Sequence, residues 1–550
     1  MSKPSPCVLI GWDGATFDLL KPWVEQGLLP NLAKMMGTGT ARNLRSIIPP
    51  ISPAAWASIM TGMNPGKHGI MDFQEFDPSD YVPRRPKFIN STHMAGTTIL
   101  DILGERGLRV CSLQIPTTYP TWPVNGLLLA GIPNPDDSVG YTYPPDRNFG
   151  PLRPSKMQRR MNHAELLENC TFHIRKLTDI FLQVVPENFD FYCIYYRESD
   201  DAHHHFWRLL DETMPGFDAR DRQEMGNPIL TIYKLLDAEL GRIMAGMPDA
   251  NFFLISDHGG TAMGRRALFL NTWLENEGYL RPSHSLRGEA QKMLHRILRG
   301  VKPLVPAHLV RKIKNERAQV ARTIARISNS TDSIAWDKTR AFAIRLNFPT
   351  MAVQLNVKGR EPSGVVQPGD EYERLRNELI EKLKLIRDPA SGRTIVQEIY
   401  RREEVFSGPN MHRMPDIVMV LDTAVVGRTE PSASAWGDVP ETQFREISGD
   451  HDLNGIFVAA GPDIQARGFL DQAHLLDVAP TLVASLAQPV PGNMDGRVLH
   501  DIFDEDFLRS SPPVYENARE LVAKGGEDVY SAEEEAAVRE RLESLGYLEG

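Results

Sequence analysis

The sequence lacks several features that would assign it quickly to a class of protein. It has four cysteines in 550 residues, Cys7, Cys111, Cys170 and Cys193, and none forms a CxxC pair. This spacing favours reduced thiols and argues against a cysteine-built metal site. No apolar run approaches the roughly 20 residues of a membrane-spanning helix, and the first residues, MSKPSPCVLIGWDG, lack the long apolar segment of a secretory signal. We therefore expect a cytoplasmic protein.

Basic residues are outnumbered by acidic residues over the chain as a whole, 61 against 71. The formal net charge is -10, which argues against a general nucleic-acid-binding protein, so no specific nucleic-acid partner is expected. Hydrophobic residues make up 41% of the chain and charged residues 24%, which is typical of a soluble globular protein. A chain of 550 residues can bury a large core and carry insertions, so its size suits an enzyme.

Short apolar runs rich in β-branched residues alternate with helical patterns along the chain. The runs are CVLI (7–10), FDFYCIYY (189–196), NFFLISDHGG (251–260), DIVMVL (416–421) and GIFVAAG (455–461), and helical patterns cover residues 170–185 and 227–247. This alternation predicts an α/β sandwich around a mostly parallel sheet, in which the carboxyl ends of the strands form the active site. Asp13, Asp200 and Asp257 each fall at or just after such an end.

Composition predicts four parts in the chain. They are a first part of a catalytic α/β core (1–283), a basic helical insertion (284–330), a second part of the core with a small αβ lobe (331–510) and a C-terminal helical tail (511–550). An αβ stretch from Trp336 to Leu421 either completes the main sheet or forms that lobe. In the tail, Ser531 and Glu534 form a capping box and Gly546 is a stop signal, which predicts a docking helix without chemistry.

Histidines and aspartates next to glycines or at strand ends form the main candidate site. Asp200 and His204 are four residues apart, and so share a face if a helix begins there. Such oxygen and nitrogen atoms can supply the ligands of two zinc-like ions, although no single pair is specific. The candidate ligands are Asp13, Asp200, His204, Asp257, His258 and His451.

Ser52 stands out because it lies between prolines, in IIPPISPAAW, just before a helical pattern. It could cap that helix, or it could be a nucleophile held at the helix N-terminus. A helix that starts there would place partial positive charge and backbone N–H groups near an incoming phosphoryl group.

The order of these motifs is more informative than any one of them. The relevant stretches are VLIGWDG, LLPNLAKMMGTG, PPISPAAWASIMTGMNPGKHGIMDF, YYRESDDAHHHFW, LISDHGG and GDHDLNGIFVAAGPDI. Together they resemble the alkaline phosphatase superfamily, and within it the type I phosphodiesterase/nucleotide pyrophosphatase branch and its phosphohydrolase and phosphomutase relatives. The resemblance runs from about residue 7 to about residue 500. It implies a three-layer α/β/α sandwich with a mostly parallel central sheet.

The resemblance also implies the roles of the candidate residues. One divalent ion would be held by Asp200, His204 and His451, and a second by Asp13, Asp257 and His258, with Ser52 as the nucleophile beside the second ion. The ions would be Zn²⁺, with Mn²⁺ as an alternative. His203 and His205 would be structural or would support the ligands, and Asp201 would not be a ligand.

The function implied is a two-metal phosphodiesterase or phosphohydrolase that acts on a small-molecule or lipid phosphoester through a seryl intermediate. A phosphomutase or head-group transferase that uses the same intermediate is the alternative. A third reading, a binding protein that has lost the chemistry, conflicts with the presence of every candidate ligand and of Ser52.

The sequence departs from the family pattern at the phosphate-binding position. The branch carries an asparagine 21 residues after the nucleophile, and Phe73 occupies that position here. Another group must therefore contact the phosphate oxygens, and Lys67, backbone amides or a basic residue of the insertion are candidates. Phe73 itself either packs in the core or stacks on the substrate.

The basic insertion, residues 284–330, has two readings. It holds eleven Lys or Arg and two acidic residues, a local charge of +9 that leaves -19 for the rest of the chain. Ala290, Met293, Leu294, Ile297, Leu298 and Val301 recur within it at helical spacing. It is either a helical cap packed on the core with a solvated basic face, or a surface for anionic lipid or anionic substrate.

The lipid reading predicts that the protein sediments with vesicles in proportion to their content of acidic lipid. The cause would be attraction between the basic face and the charged bilayer surface, so binding should weaken as salt is added. Co-sedimentation with phosphatidylcholine vesicles that contain increasing phosphatidylserine measures both effects. Binding that ignores lipid charge and salt would leave only the packed-cap reading.

Overall fold

A computed structural model describes residues 4–544 of the chain, apart from residues 76–80, 82–86, 136–139, 153–161, 284–333, 520 and 522–525. The basic insertion predicted at 284–330 lies outside the described residues, so its helical character and its role stay predictions. The stop signal predicted at Gly546 lies outside them too.

Strands and helices alternate through the described chain. The strands are β1 (Cys7–Trp12), β2 (Thr40–Arg45), β3 (Val110–Leu113), β4 (Gly126–Leu129), β5 (Thr142–Tyr143), β6 (Phe191–Tyr196), β7 (Asn251–Ile255), β8 (Gly259–Ala262), β9 (Arg266–Phe269), β10 (Ala341–Arg345), β11 (Thr350–Leu355), β12 (Val396–Arg401), β13 (Ile417–Leu421), β14 (Val425–Arg428), β15 (Trp436–Asp438), β16 (Gly449–Asp452), β17 (Asn454–Ala460), β18 (Gly468–Phe469), β19 (Ala473–His474), β20 (Val490–Pro491) and β21 (Tyr515–Glu516). The α-helices are α1 (Phe17–Glu25), α2 (Pro30–Thr38), α3 (Ser52–Thr61), α4 (Pro65–His68), α5 (Ile99–Glu105), α6 (His163–Val184), α7 (Glu198–Phe206), α8 (Ala219–Met225), α9 (Pro228–Gly246), α10 (Leu270–Asn276), α11 (Asp370–Lys384), α12 (Arg402–Val405), α13 (Glu441–Phe444), α14 (Val478–Ser485), α15 (Glu505–Ser510) and α16 (Ala532–Ser544).

The central sheet has the strand order β18-β2-β17-β7-β1-β6-β3-β4-β5, and β19 also pairs with β2. Strands β7, β1, β6, β3 and β4 run parallel to one another, so their carboxyl ends meet at one edge. The prediction of an α/β fold with a mostly parallel central sheet is therefore confirmed.

The two faces of this sheet bury different helices, as the side-chain alternation of strand β1 shows. Val8, Ile10 and Trp12 belong to an apolar cluster with residues of α2, α6 and α9. Cys7 and Leu9, which point to the opposite face, belong to a second cluster with residues of α3, α5, α14 and α16. Because successive residues of a strand face opposite sides, one continuous apolar run can serve both helix layers. The result is the α/β/α sandwich that the sequence predicts.

Two of the predicted strands differ from the expected parallel arrangement. The run GIFVAAG lies in β17, which is antiparallel to both of its neighbours, β7 and β2. The run DIVMVL lies in β13, which is part of a separate antiparallel sheet of order β10-β11-β13-β12. An apolar run records burial on both faces and not strand direction, so composition alone could not separate these cases.

The second αβ stretch forms a lobe of its own and does not extend the central sheet. Helix α11 covers this four-stranded antiparallel sheet, and its buried residues Leu375, Leu379 and Leu383 join the same apolar cluster as β11 and β13. The helix spans Asp370–Lys384. The four predicted chain boundaries remain predictions.

The tail docks on the core as a helix. The capping box is present, because the Ser531 backbone N–H donates to Glu534 at 2.7 Å and the Glu534 N–H donates to Ser531 Oγ at 3.2 Å. Val538 and Leu542 of α16 are each 1% exposed, in the same apolar cluster as α3.

The four cysteines are buried and form no disulfide bond. None of the helices within the described residues has both the length and the apolar character that crossing a bilayer requires, and the cytoplasmic location stays a prediction.

Truncation of the docked face of α16 should destabilise the protein. Leu542→Ala removes a buried side chain and leaves a cavity, and such changes cost about 2–5 kcal/mol in the free energy of unfolding. Chemical denaturation, followed by circular dichroism, measures the change. Glu540→Ala on the exposed face of the same helix is the matched control and should shift the midpoint little. Equal midpoints for the two variants would show that the helix does not contribute to the core.

Candidate active site

Three aspartates converge at the edge where the parallel strands end. Asp13 directly follows β1, Asp257 comes two residues after β7, and Asp200 lies in the first turn of α7, which follows β6. Strands β6 and β7 flank β1 on either side, which explains why residues so far apart in the chain lie together. All three carboxylates are buried, with at most 1% of each residue exposed.

The first group consists of Asp13, Asp257 and His258, whose candidate ligand atoms all lie within 4.8 Å of one another. His258 Nε2 is 3.3 Å from Asp13 Oδ1 and 3.7 Å from Asp257 Oδ2. None of the three residues is exposed to solvent. The structure therefore brings together the set that the sequence predicted around one ion.

The second group consists of Asp200, His204 and His451, again within 4.8 Å of one another. The four-residue spacing on α7 places His204 Nε2 3.1 Å from Asp200 Oδ2. His451 enters on β16, which pairs with β8 so that His451 lies opposite Gly260. Its Nε2 atom is 3.2 Å from His204 Nε2 and 3.7 Å from Asp200 Oδ1.

The two groups are neighbours. The rings of His258 and His451 stack with their centroids 3.8 Å apart. The close approach of the two groups depends in part on Gly14. A Cβ atom at this position would lie 2.9 Å from Asp200 Oδ1, and the φ of 65° is one that glycine adopts readily. Any side chain at residue 14 would push the strand end away from Asp200.

The backbone orients all three histidines in the same sense. Nδ1 contacts the carbonyl of Gly449 in His204 (3.0 Å), of Gly259 in His258 (3.1 Å) and of Pro50 in His451 (2.8 Å). A carbonyl only accepts, so each contact places a proton on Nδ1 and leaves Nε2 as the ring nitrogen that faces the carboxylates. This is the arrangement in which proteins present histidine to a metal ion.

The charges of the site are unbalanced without a cation. Burial, and then repulsion from Asp257 and Asp200, raise the pKa of Asp13 well above its usual value. Burial alone would also raise the pKa of Asp200, but His204 and His451 outweigh it and the pKa is lowered. Burial works against ionisation of His204, yet Asp200 raises its pKa to about 9.

Unsatisfied atoms point to the same conclusion. Asp13 Oδ1, both carboxylate oxygens of Asp257 and His258 Nε2 are buried, and none makes a hydrogen bond of acceptable geometry among the described residues. Buried polar atoms are almost always paired, so a cluster of orphaned acceptors needs an explanation. Divalent cations supply one, because these oxygen and nitrogen atoms are ligand types that Zn²⁺ and Mn²⁺ accept. The donor types and spacing of each group therefore fit a divalent ion, and the unsatisfied atoms all belong to the first group.

Ser52 lies against the first group. It is fully buried, and its Oγ donates to Asp13 Oδ2 at 3.4 Å. It is the first residue of α3, while Ile51 holds the cap position and makes no capping side-chain bond. The capping reading of Ser52 is thus wrong, and its hydroxyl is directed to the predicted ligand Asp13.

The two residues proposed for substrate contact lie in other surroundings. The Lys67 ammonium pairs with Asp495 and donates to the Asn493 carbonyl at 3.0 Å. Phe73 is fully buried in the apolar cluster that includes α3 and α5, which agrees with its packing role. Substrate binding by either residue remains a prediction.

The residues predicted to be structural have structural partners. His203 Nε2 is 3.1 Å from the Tyr233 hydroxyl, and His205 Nδ1 donates to the Glu446 carbonyl at 3.0 Å. Asp201 pairs with Arg197 at 2.9 Å. Only His204 of the three consecutive histidines joins Asp200, as its four-residue offset predicts.

Two residues of the site were not identified from the sequence. The Tyr195 hydroxyl donates to Asp13 Oδ2, the same oxygen that Ser52 contacts. Asn347 lies beside His451 from the tip of a hairpin in the lobe. Tyr195 sits in an aromatic strand just before Asp200, which was a weak signal, and Asn347 had none because its partners are distant in the chain.

The fold and the site together define a class. A mostly parallel α/β/α sheet that gathers two Asp/His groups and a serine at one edge has the architecture of the alkaline phosphatase superfamily. Within it, the chain belongs to the family described as type I phosphodiesterase / nucleotide pyrophosphatase, which matches residues 7–453.

Curated relatives agree with that family. A venom phosphodiesterase of Macrovipera lebetinus is 23% identical over 267 residues, which is 47% of this chain and 26% of the relative. Ectonucleotide pyrophosphatase/phosphodiesterase family member 1 of Homo sapiens is 24% identical over 281 residues, 49% of this chain and 25% of the relative. The match thus spans about a quarter of the length of these relatives.

A solved structure supports the fold. Phosphonoacetate hydrolase from Sinorhizobium meliloti 1021, in complex with phosphonoformate, superposes with a TM-score of 0.52 at 14% identity. The alignment covers 88% of this chain and 96% of the hydrolase. At this identity the likeness concerns the fold alone.

Metal removal should destabilise the protein, because the buried carboxylates then repel one another. Ligand that binds only the folded state adds about 2.7 kcal/mol at 100 times its dissociation constant, so Zn²⁺ or Mn²⁺ should raise the melting temperature and a chelator should lower it. Thermal denaturation by calorimetry measures this shift.

Asp257→Asn separates repulsion from metal binding in the same experiment. The metal-free variant should melt no lower than the metal-free wild type, since one repelling charge is gone, while part of the gain from metal is lost. Asp249→Asn, at an exposed carboxylate, should keep the full gain. A wild-type melting temperature that changes with neither metal nor chelator would contradict the assignment of these residues as metal ligands.

Proposed function

We propose that the protein is a two-metal-dependent hydrolase of phosphoric esters that acts through a seryl-phosphoryl intermediate on Ser52. One observation carries the proposal. The buried Ser52 hydroxyl donates to Asp13, which belongs to an Asp/His group with four buried atoms that make no hydrogen bond of acceptable geometry among the described residues. A nucleophile beside a cation site suits attack on an electrophile that is itself anionic, and a phosphoester is such a group.

The metal ions have defined protein ligands in this proposal. Asp13, Asp257 and His258 would hold one ion beside Ser52, and Asp200, His204 and His451 would hold the other. When bound, two such ions stabilise the attacking and leaving oxygens of an in-line displacement and favour ionisation of the serine hydroxyl. Zn²⁺ is favoured by the mixed nitrogen and oxygen donors, with Mn²⁺ as the alternative.

Ser52 provides the nucleophilic oxygen. Its Oγ loses its proton as it bonds to phosphorus, the bond from phosphorus to the leaving oxygen breaks, and that oxygen departs with the electron pair and takes up a proton. Asp13 Oδ2 accepts the hydrogen bond of the hydroxyl and so fixes its direction before attack. Tyr195 donates to the same Asp13 oxygen and restricts the carboxylate in turn. Water then attacks phosphorus and breaks the bond to Oγ, which regains its proton.

The backbone around Ser52 contributes electrostatic stabilisation. Ser52 is the first residue of α3, where the helix dipole is positive and first-turn N–H groups have no partner within the helix. Pro53 has no N–H to offer. Burial of the whole site keeps competing water away, so each of these interactions is stronger than it would be in solvent.

The substrate is proposed to be a small-molecule or lipid phosphoester handled in the cytoplasm. Nucleotide specificity does not follow from the family, because Phe73 occupies the position of the phosphate-binding asparagine and is buried in the core. The donors to the phosphate oxygens must come from elsewhere at the site, and backbone amides in the first turn of α3 are candidates.

Ser52→Ala should abolish turnover while the protein still binds metal. Loss of the nucleophile removes the covalent step, and comparable losses in serine enzymes are about 10³-fold or more in kcat. Metal-loaded protein should be assayed on diesters, monoesters, nucleotide pyrophosphates and phospholipids, with metal content measured by elemental analysis.

Ser58→Ala is the matched control, since Ser58 lies on the same helix but contacts His68 at 2.9 Å. It should retain most of the activity. A fully active Ser52→Ala would refute the nucleophile. Transfer of label to an added alcohol in excess of release to water would favour the transferase reading over hydrolysis.

A further inference from the structure

The antiparallel lobe reaches the metal groups through the tip of one hairpin. Residues 346–349 connect β10 to β11, and the Thr350 backbone N–H donates to the Asn347 carbonyl at 2.8 Å across the turn. Asn347 is therefore held at the point of the lobe nearest to His451.

The turn is seated by apolar packing between lobe and core. Leu346 is in the same buried cluster as Ile48 and Met71, which flank the Ser52 helix in sequence, and as Val418 of β13. Arg45 at the end of β2 also pairs with Glu398 of the lobe strand β12. These contacts fix the position of the hairpin tip relative to the site.

The Asn347 side chain meets two groups that matter to the site. Its amide nitrogen lies 2.7 Å from His451 Nδ1 and 3.4 Å from the carbonyl oxygen of Pro50. Pro50 precedes Ser52 by two residues, and His451 Nδ1 also contacts the Pro50 carbonyl at 2.8 Å. One amide thus contacts both a candidate metal ligand, His451, and the backbone two residues before the candidate nucleophile Ser52.

The two orientations of this amide have different consequences for His451. With the amide nitrogen toward Nδ1, the amide donates to an unprotonated Nδ1. The imidazole proton is then on Nε2, where it prevents metal binding. With oxygen toward Nδ1, the amide accepts the Nδ1 proton together with Pro50, and Nε2 keeps its lone pair. The structure has the first orientation, in which the amide nitrogen also lies 3.4 Å from the Pro50 carbonyl oxygen. Amide orientations are assigned from the network, and the second gives up that long contact but leaves His451 Nε2 able to bind a cation.

We propose that Asn347 is a positioning residue that holds His451 in the metal-binding tautomer and orientation, and so makes ion binding depend on the docked lobe. The inference rests on the proposed function for its catalytic consequence, but not for its effect on metal affinity. Hydrogen-bond partners of metal-ligating histidines typically contribute about 10–100-fold to metal affinity. Asn347 supplies that contact from a part of the fold outside the central sheet.

The experiment measures Zn²⁺ affinity of the full-length protein by competition with a chromogenic chelator. Asn347→Ala should weaken one of two bound ions by about 10–100-fold and leave the other unchanged. Asn347→Asp should return that affinity to within about threefold of wild type, since a carboxylate oxygen also accepts the Nδ1 proton. Activity of Asn347→Ala should recover at excess Zn²⁺.

Asn377→Ala is the matched control, because Asn377 is an asparagine of the same lobe whose side chain bonds Arg401 at 2.8 Å. It should bind both ions as wild type does. Wild-type affinity in Asn347→Ala, or an Asp variant as weak as the Ala variant, would overturn the proposal. If Asn347→Ala fails to fold, Asn347→Leu replaces it: leucine is of similar size but cannot accept the Nδ1 proton, so the same loss of affinity is expected and wild-type affinity would overturn the proposal.

The two proposals fail in different ways. Wild-type protein that binds two ions but turns over no phosphoester would refute the proposed function and leave the affinity result intact. Active wild-type protein with an unaffected Asn347→Ala would refute the role of Asn347 alone.

Discussion

The repulsion among three buried carboxylates is the constraint on which the site depends. Asp13, Asp200 and Asp257 come from neighbouring strand ends that the parallel sheet forces together, away from water. Charges buried in this way are stable only with compensating positive charge. Compensating positive charge comes from the histidines, the N-terminal end of α3 and the inferred cations. The tight turn at Gly14 permits the carboxylates to approach one another. The chemistry proposed for Ser52 uses the same positive charge.

Much of the site could be predicted because its ligands follow local rules. A polar residue after a buried parallel strand lands at the active edge, which located Asp13 and Asp257. The four-residue spacing of Asp200 and His204 needed only a helix, and α7 is present. The central sheet followed in the same way from apolar runs and the helices between them.

The remaining features depend on contacts that no short segment encodes. Strand direction in β17 and membership of β13 in a second sheet follow from the path of the whole chain. Asn347 meets His451 across 104 positions of sequence, and Tyr195 is one aromatic residue among several in its strand. The proline-rich context draws attention to Ser52, but the choice between cap and first helical residue required the backbone geometry of Ile51.

The spread of the ligands along the chain has a consequence for biosynthesis. Asp13 is synthesised before the lobe, whereas His451 follows only after the lobe has been made. Long-range pairings of this kind form late, because the chain between them must first be ordered. A nascent or prematurely terminated chain would therefore carry Ser52 without a complete ion site. Reactivity would be withheld until β16 had joined β8, so the candidate ion site is completed only after the lobe has been made.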